Sequence, residues 1–147
     1  MSNSQYGFRD HRSTVHALLN ITNEIYSALD NVMLCSGVFL DLSKAFDTVD
    51  HDILLNKLQH FGFRGKPLQL IRSYLSCRKI CVSEKDMLSP LYEITSGVPQ
   101  GSVIGPLLFI LYTNDFPNIL NFGSANIFAD DTALIFKDKS PCVLEKR

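Results

Sequence analysis

Val15, Leu18, Leu19, Thr22, Ile25, Tyr26 and Leu29 recur at helical spacing. The pattern predicts an amphipathic helix over 14–30, capped by Ser13 or Thr14, with its apolar stripe in the core. Asp30-Asn31 breaks it. The period then changes to two over 35–42, where Val38, Leu40 and Leu42 face one way and Phe39 and Asp41 the other. This run is apolar almost throughout and reads as a central strand covered on both faces. Asp50 is placed to cap a helix over 51–61, with Ile53, Leu54, Leu58 and Phe61 as its stripe and Gly62 as its stop. Pro67 opens a shorter helix through Leu68, Ile71, Tyr74 and Leu75. Two short strands follow over 79–83 and 88–95. Ser96-Gly97-Val98-Pro99-Gln100-Gly101-Ser102 is a rigid turn, and Gly105-Pro106 opens a helix expected to run through Leu120. The last ten residues read as polar and frayed. There is no internal repeat and no linker.

The rest of the pattern turns on Ile127-Phe128-Ala129-Asp130-Asp131-Thr132-Ala133-Leu134-Ile135-Phe136. β-branched and aromatic residues flank two adjacent carboxylates on both sides, which favours a strand, a tight turn at Ala129-Asp130-Asp131 and a second strand. Such a hairpin holds two charges at its tip while burying its sides. A solvated Asp-Asp turn explains the pair alone. The alternative is a divalent-cation site, since adjacent anions repel and are costly to bury unless paired or metal-bound.

Composition narrows the field. A chain of 147 residues with 46% hydrophobic residues suits one globular domain with one core. No apolar run reaches the roughly 18 residues of a membrane helix, so no membrane partner is expected. The N-terminus is polar and lacks a signal-peptide pattern. Cys35, Cys77, Cys81 and Cys142 are scattered, which argues against a zinc knuckle and for free thiols in a reducing compartment. Net charge is −1, but seven basic residues lie between 53 and 85 against one acid, Glu84. A basic stretch beside an acidic centre suits a polyanion held over metal ions; a solvated helical face explains the run equally well.

Asp41, at the end of an otherwise apolar strand, supplies a third carboxylate. If its strand pairs beside the Asp-Asp hairpin, the carboxylates converge at one end of a sheet. Hard oxygen ligands suit Mg²⁺, which uses few carboxylates together with substrate phosphates. Two such ions about 3.5–4 Å apart activate an attacking 3′-hydroxyl and stabilise leaving pyrophosphate. That chemistry needs positioning and charge neutralisation, not a protein nucleophile. No Ser/His/Asp arrangement and no glycine-rich phosphate loop competes for the role.

Leu40-Asp41-Leu42-Ser43-Lys44-Ala45-Phe46-Asp47, then Gly97-Val98-Pro99-Gln100-Gly101-Ser102, then Phe128-Ala129-Asp130-Asp131 occur in the order of the reverse transcriptases, and the wording resembles the non-LTR, LINE-like group. Gln5-Tyr6-Gly7-Phe8-Arg9 with Arg12-Ser13-Thr14, and Gly105-Pro106-Leu107-Leu108-Phe109 leading to Asn114-Asp115, resemble the same group. The resemblance spans about residues 5–140. It implies an α+β fold, a small antiparallel sheet backed by helices, forming part of the palm of a right-hand polymerase. It implies RNA-directed DNA synthesis from dNTP on an RNA template and a DNA primer, with two Mg²⁺ ions or Mn²⁺ in their place. By position, Asp41, Asp130 and Asp131 are the catalytic carboxylates, and with the Leu42 carbonyl they are the metal ligands. Ser43, Lys44, Ala45 and Phe46 bound the incoming nucleotide, with Gln100 and Gly101 at the nucleotide and template. Phe46 is the steric gate against a ribose 2′-hydroxyl, or else an ordinary core Phe. Arg9, Arg12, Phe128 and Ala129 fall to template and primer, Phe128 standing where Tyr is usual.

Asp47 raises a second possibility. RNA-dependent RNA polymerases carry another Asp about five residues after the first, where it binds the 2′-hydroxyl. The Ser-Lys-Ala-Phe-Asp wording, and Ala129 where those enzymes have Gly, favour DNA synthesis. The upstream fingers strands and the thumb implied by the resemblance have no counterpart in the chain, nor does any endonuclease, protease, integrase or ribonuclease H segment. The expectation is a central piece of a retrotransposon polyprotein, poor at polymerisation alone because positioning supplies much of the rate. The alternatives are a catalytically inactive nucleic-acid-binding remnant and an unrelated metal-dependent hydrolase. The hydrolase would lack Phe46 and the Pro99-Gln100-Gly101 turn.

Overall fold

The computed structural model of the chain describes residues 1–145. The chain divides into two compact units, one of residues 1–43 with those from Thr113 onward, the other Lys44–Tyr112. Each has its own apolar cluster, so the single core expected from length is two.

In the first unit, helix α1 (Thr14–Asp30) starts as its pattern predicts, with Ser13 as N-cap accepting from the His16 N–H. Strands β1 (Leu34–Leu40), β6 (Ser124–Phe128) and β7 (Asp131–Asp138) form an antiparallel sheet in the order β1-β7-β6. The centre of the sheet is therefore β7, and β1 is an edge strand. Phe39 on β1 is 76% exposed, contrary to the covered central strand expected there. An apolar run marks a strand whose faces can be covered, but it does not encode how many neighbours pair with it. One sheet face carries α1, where Asn20 Nδ2 donates to Asn126 Oδ1 at 2.7 Å and Glu24 pairs with Lys137. The other buries Ala125, Ile127, Leu134 and Phe136 against Phe116, Leu120 and Leu144. On α1, Ala17 and Ala28 are buried, whereas Leu18, Leu19, Tyr26 and Leu29 of the expected core stripe are exposed. Small residues let the helix lie close to the sheet there, and the larger ones are left facing outward.

Two further corrections concern the C-terminal half. The helix expected to reach Leu120 stops much earlier, and a 3₁₀ turn at Phe116–Ile119 replaces its end. Pro117 has no N–H for a continuing helix, and the Asn114 Oδ1 accepts instead from the Ser2 N–H at 2.6 Å. The last ten residues are not uniformly frayed, because β7 runs to Asp138 and a short helix, α5, spans Pro141–Glu145. Lys146 and Arg147 lie outside the described residues.

The second unit packs helices α2 (His51–His60), α3 (Lys66–Leu75) and α4 (Gly105–Tyr112) around Val49, Leu54, Leu58, Leu75, Phe109 and Ile110. Asp50 caps α2, accepting from the Ile53 N–H at 2.9 Å. The stripe of α2 is rotated from that expected, with Leu55 buried and Ile53 and Phe61 exposed. The two strands expected over 79–95 are four short ones: β2 (Arg78–Ile80) pairs with β5 (Tyr92–Ile94), and β3 (Ser83–Glu84) with β4 (Met87–Leu88). Leu58 has no exposed surface. Leu58→Ala is expected to cost about 2–5 kcal/mol through lost transfer energy and the cavity left behind, measured by denaturant unfolding.

Candidate active site

The carboxylate site grows from the β6–β7 hairpin. Phe128 pairs with Asp131, so the connection is the two-residue turn Ala129-Asp130. Ala129 has φ 59°, the left-handed backbone that a two-residue hairpin requires and that a residue with a Cβ adopts at some cost. Asp130 is half-buried at the tip, and Asp131 opens β7 exposed. The β1–β7 ladder ends at Leu40 opposite Thr132. Asp41 follows the last residue of β1 and Asp131 precedes Thr132 on β7, so the two lie at the same end of the sheet. Asp41 and Asp131 line one cleft of ≈430 Å³ with Thr14 and Leu18 of α1, Phe39 and Phe128. The structure thus brings two of the three expected carboxylates to one cleft and holds the third, Asp130, on the turn that adjoins Asp131. Leu42 borders a different, largely apolar cleft with Phe116, Ile127 and Ala129.

Among the described residues, no group of three or more His, Cys, Asp or Glu side chains is arranged to hold a metal ion. The donor set nevertheless suits a magnesium ion, which takes one or two carboxylates and completes its shell with water and substrate phosphates.

Arg9 and Arg12, expected at template or primer, support their own loop. Arg9 Nη1 donates to the Ser2 carbonyl at 2.6 Å and the Gln5 carbonyl at 3.2 Å. The Arg12 guanidinium lies 5.0 Å from the Tyr6 ring centroid. Both are half-buried.

The remaining expected residues divide at Ser43, which is exposed at the close of the first unit's N-terminal segment. In the second unit Lys44 is exposed with φ 55° and Ala45 is buried. The Phe46 ring stacks on Phe109 with centroids 4.4 Å apart and packs partly buried against the core. The Gly97–Gln100 turn is fastened to residues 46–49. Val98 N–H donates to Phe46 O at 2.8 Å and Gly97 N–H to Val49 O at 2.7 Å. Gln100 Nε2 donates to Asp47 Oδ1 at 2.9 Å. The Asp47 carboxylate, the ambiguous group of the sequence, therefore holds Gln100. Gly101 is exposed with φ 76°.

Arg78 and His51 were not legible as site residues. Arg78 donates to the Ser96 and Gly97 carbonyls, and His51 Nε2 lies 2.8 Å from Gly97 O. In the sequence Arg78 is one more cation in a basic run, and nothing local marks it as turned inward. Asp47, Arg78, Glu93 and Gln100 border a cleft of ≈840 Å³.

Cys35, Cys77, Cys81 and Cys142 are free and exposed. No helix among the described residues is long and apolar enough to cross a membrane.

Comparison with known proteins agrees with the motif order. A family model described as "Reverse transcriptase (RNA-dependent DNA polymerase)" matches residues 1–146. The "Probable RNA-directed DNA polymerase from transposon BS" of Drosophila melanogaster is 36% identical over 139 residues, covering 90% of this chain and 15% of that protein. The "RNA-directed DNA polymerase from mobile element jockey" of Drosophila melanogaster is 34% identical over 143 residues, covering 92% of this chain and 16% of that protein. Its namesake in Drosophila funebris is 34% identical over 148 residues, covering 96% and 16%. The chain spans about one sixth of the length of these relatives. By the family match and these relatives, the chain belongs to the reverse transcriptase family, in its non-LTR retrotransposon branch.

Proposed function

We propose that the chain is the catalytic palm segment of an RNA-directed DNA polymerase, transferring a nucleotidyl group from dNTP to a primer 3′-hydroxyl on an RNA template. The observation that carries the proposal is the register that brings Asp41 to the same end of the sheet as Asp131, with Asp130 on the adjoining turn. Asp41, Asp130, Asp131 and the Leu42 carbonyl would hold two Mg²⁺ ions. When bound, such ions neutralise the triphosphate and lower the pKa of the attacking hydroxyl. The residues of the chain bind and orient. Ser43, Lys44 and Ala45 would bound the incoming nucleotide, with the Phe46 ring, which is braced on Phe109, as the gate against a 2′-hydroxyl that the family resemblance implies. Gln100, held by Asp47, and Gly101 meet the nucleotide and template. Arg9, Arg12, Phe128 and Ala129 border the template and primer. Partner segments of a larger retrotransposon protein complete the enzyme.

The test is primer extension on an RNA template with Mg²⁺, wild type beside Asp130→Asn, with dNTP and rNTP in separate reactions. The expected result is slow extension with dNTP only, lost in Asp130→Asn. Extension equal in both proteins contradicts the proposal. No extension by either, with RNA binding that weakens with salt and survives Asp130→Asn, supports a nucleic-acid-binding remnant in its place.

A further inference from the structure

Gln5 is 3% exposed, yet it is a polar residue in a loop. The N-terminal segment lies along the β6 edge, where Gln5 forms a parallel bridge with Ile127. Tyr6 N–H donates to Ile127 O at 2.7 Å, and Ile127 N–H to Ser4 O at 2.8 Å. With its backbone fixed there, the Gln5 side chain reaches the hairpin tip. Its Oε1 accepts from the Gly7 N–H at 2.8 Å and from the Ala129 N–H at 3.1 Å. Gly7 makes the approach feasible, because a Cβ on it would lie 2.5 Å from the Ala129 nitrogen.

Ala129 is the left-handed residue of the turn that carries Asp130. Two features work to open that turn: the strain of a Cβ at positive φ and the repulsion between Asp130 and Asp131. A buried acceptor on the Ala129 N–H opposes both, because opening would leave a buried polar group without its partner. The acceptor is also uncharged, so it adds no third anion beside the two carboxylates.

We propose that Gln5 is a positioning residue: its amide oxygen locks the Ala129-Asp130 turn, so that Asp130 and Asp131 are presented preformed to a divalent cation. This rests on the metal-site reading above. It extends that reading to a residue more than 120 positions away in the chain that touches no substrate.

The test compares Gln5→Met, which keeps the side-chain length and removes the oxygen, with Gln5→Glu, which keeps an acceptor oxygen. Gln5→Asn, which draws the amide back by one methylene, gives a second loss variant of unchanged polarity. Amide hydrogen exchange and Mn²⁺ affinity are measured on the purified chain beside wild type and Asp130→Asn. In Gln5→Met and Gln5→Asn, exchange at Ala129 and Gly7 is expected to rise, and Mn²⁺ affinity to fall about 10-fold, the scale of lost support behind a metal ligand. Gln5→Glu is expected to keep Ala129 protected. A merely structural Gln5 would lower the melting temperature and leave the Mn²⁺ affinity of the folded chain unchanged. That result, or unchanged exchange at Ala129, overturns the inference while wild-type binding leaves the metal site standing. Mn²⁺ binding no tighter in wild type than in Asp130→Asn removes the metal site, and the role of Gln5 with it.

Discussion

Replacing Asp41 by Asn is expected to lower Mg²⁺-dependent nucleotide addition about 10³-fold, the several kcal/mol that metal-held charge contributes to such transition states. The fold should be untouched. Asp41 is exposed beyond the last β1 pair, at the same end of the sheet as Asp131 at the start of β7. Removing one anion relieves repulsion there, so the melting temperature should stay level or rise. Loss of rate without loss of stability separates a metal ligand from a structural residue. Asp41→Asn combined with Asp130→Asn should be little worse than either alone, since groups that act as a unit are not additive. Single-turnover rates and thermal unfolding of the three variants check this.

Gly97→Ala is expected to produce the largest stability loss in the second unit, about 3–5 kcal/mol, and a fall in Tm of more than about 10 °C. Gly97 has φ 83°, and a Cβ there would lie 2.7 Å from Asp47 O and 2.8 Å from Asp47 Cα. Backbone atoms cannot yield as a side-chain tip can. The turn would have to lift away, breaking the bonds from Gly97 to Val49 and from Val98 to Phe46. Gly101 is the control. Its φ is 76°, but a Cβ on it meets nothing within 4 Å. Gly101→Ala should cost only the left-handed penalty, roughly 1–2 kcal/mol. Equal losses at the two positions would contradict this reading of the turn.

The features legible in the sequence are local ones. The Asp-Asp hairpin was, because β-branched and aromatic flanks around two adjacent carboxylates specify a hairpin within ten positions, although Asp131, expected in the turn, opens β7 instead. Helix α1 was for the same reason, and so was the Asp50 cap of α2, whose acceptor and donor are three residues apart. The features that escaped depend on partners distant in the chain. Nothing in the run at 35–42 says that β7 pairs with β1 on one side and β6 on the other, so the edge strand reads as central. The apolar stripe of α1 says that something covers it, not which residues meet the sheet. At the candidate site, motif order pointed to Asp41, Asp130 and Asp131. The supporting bonds, Gln5 to Ala129 and Gln100 to Asp47, join residues more than fifty positions apart and have no local signature.

The metal site is tested most directly by a Mn²⁺ titration of the purified chain followed by paramagnetic broadening of assigned amide resonances. Asp41, Leu42, Asp130 and Asp131 are expected to broaden first, at less than one equivalent of metal, and Asp41→Asn is expected to abolish the effect. Broadening centred elsewhere, such as on Asp47, Asp50 and Asp52, or an unchanged pattern in Asp41→Asn, would contradict it.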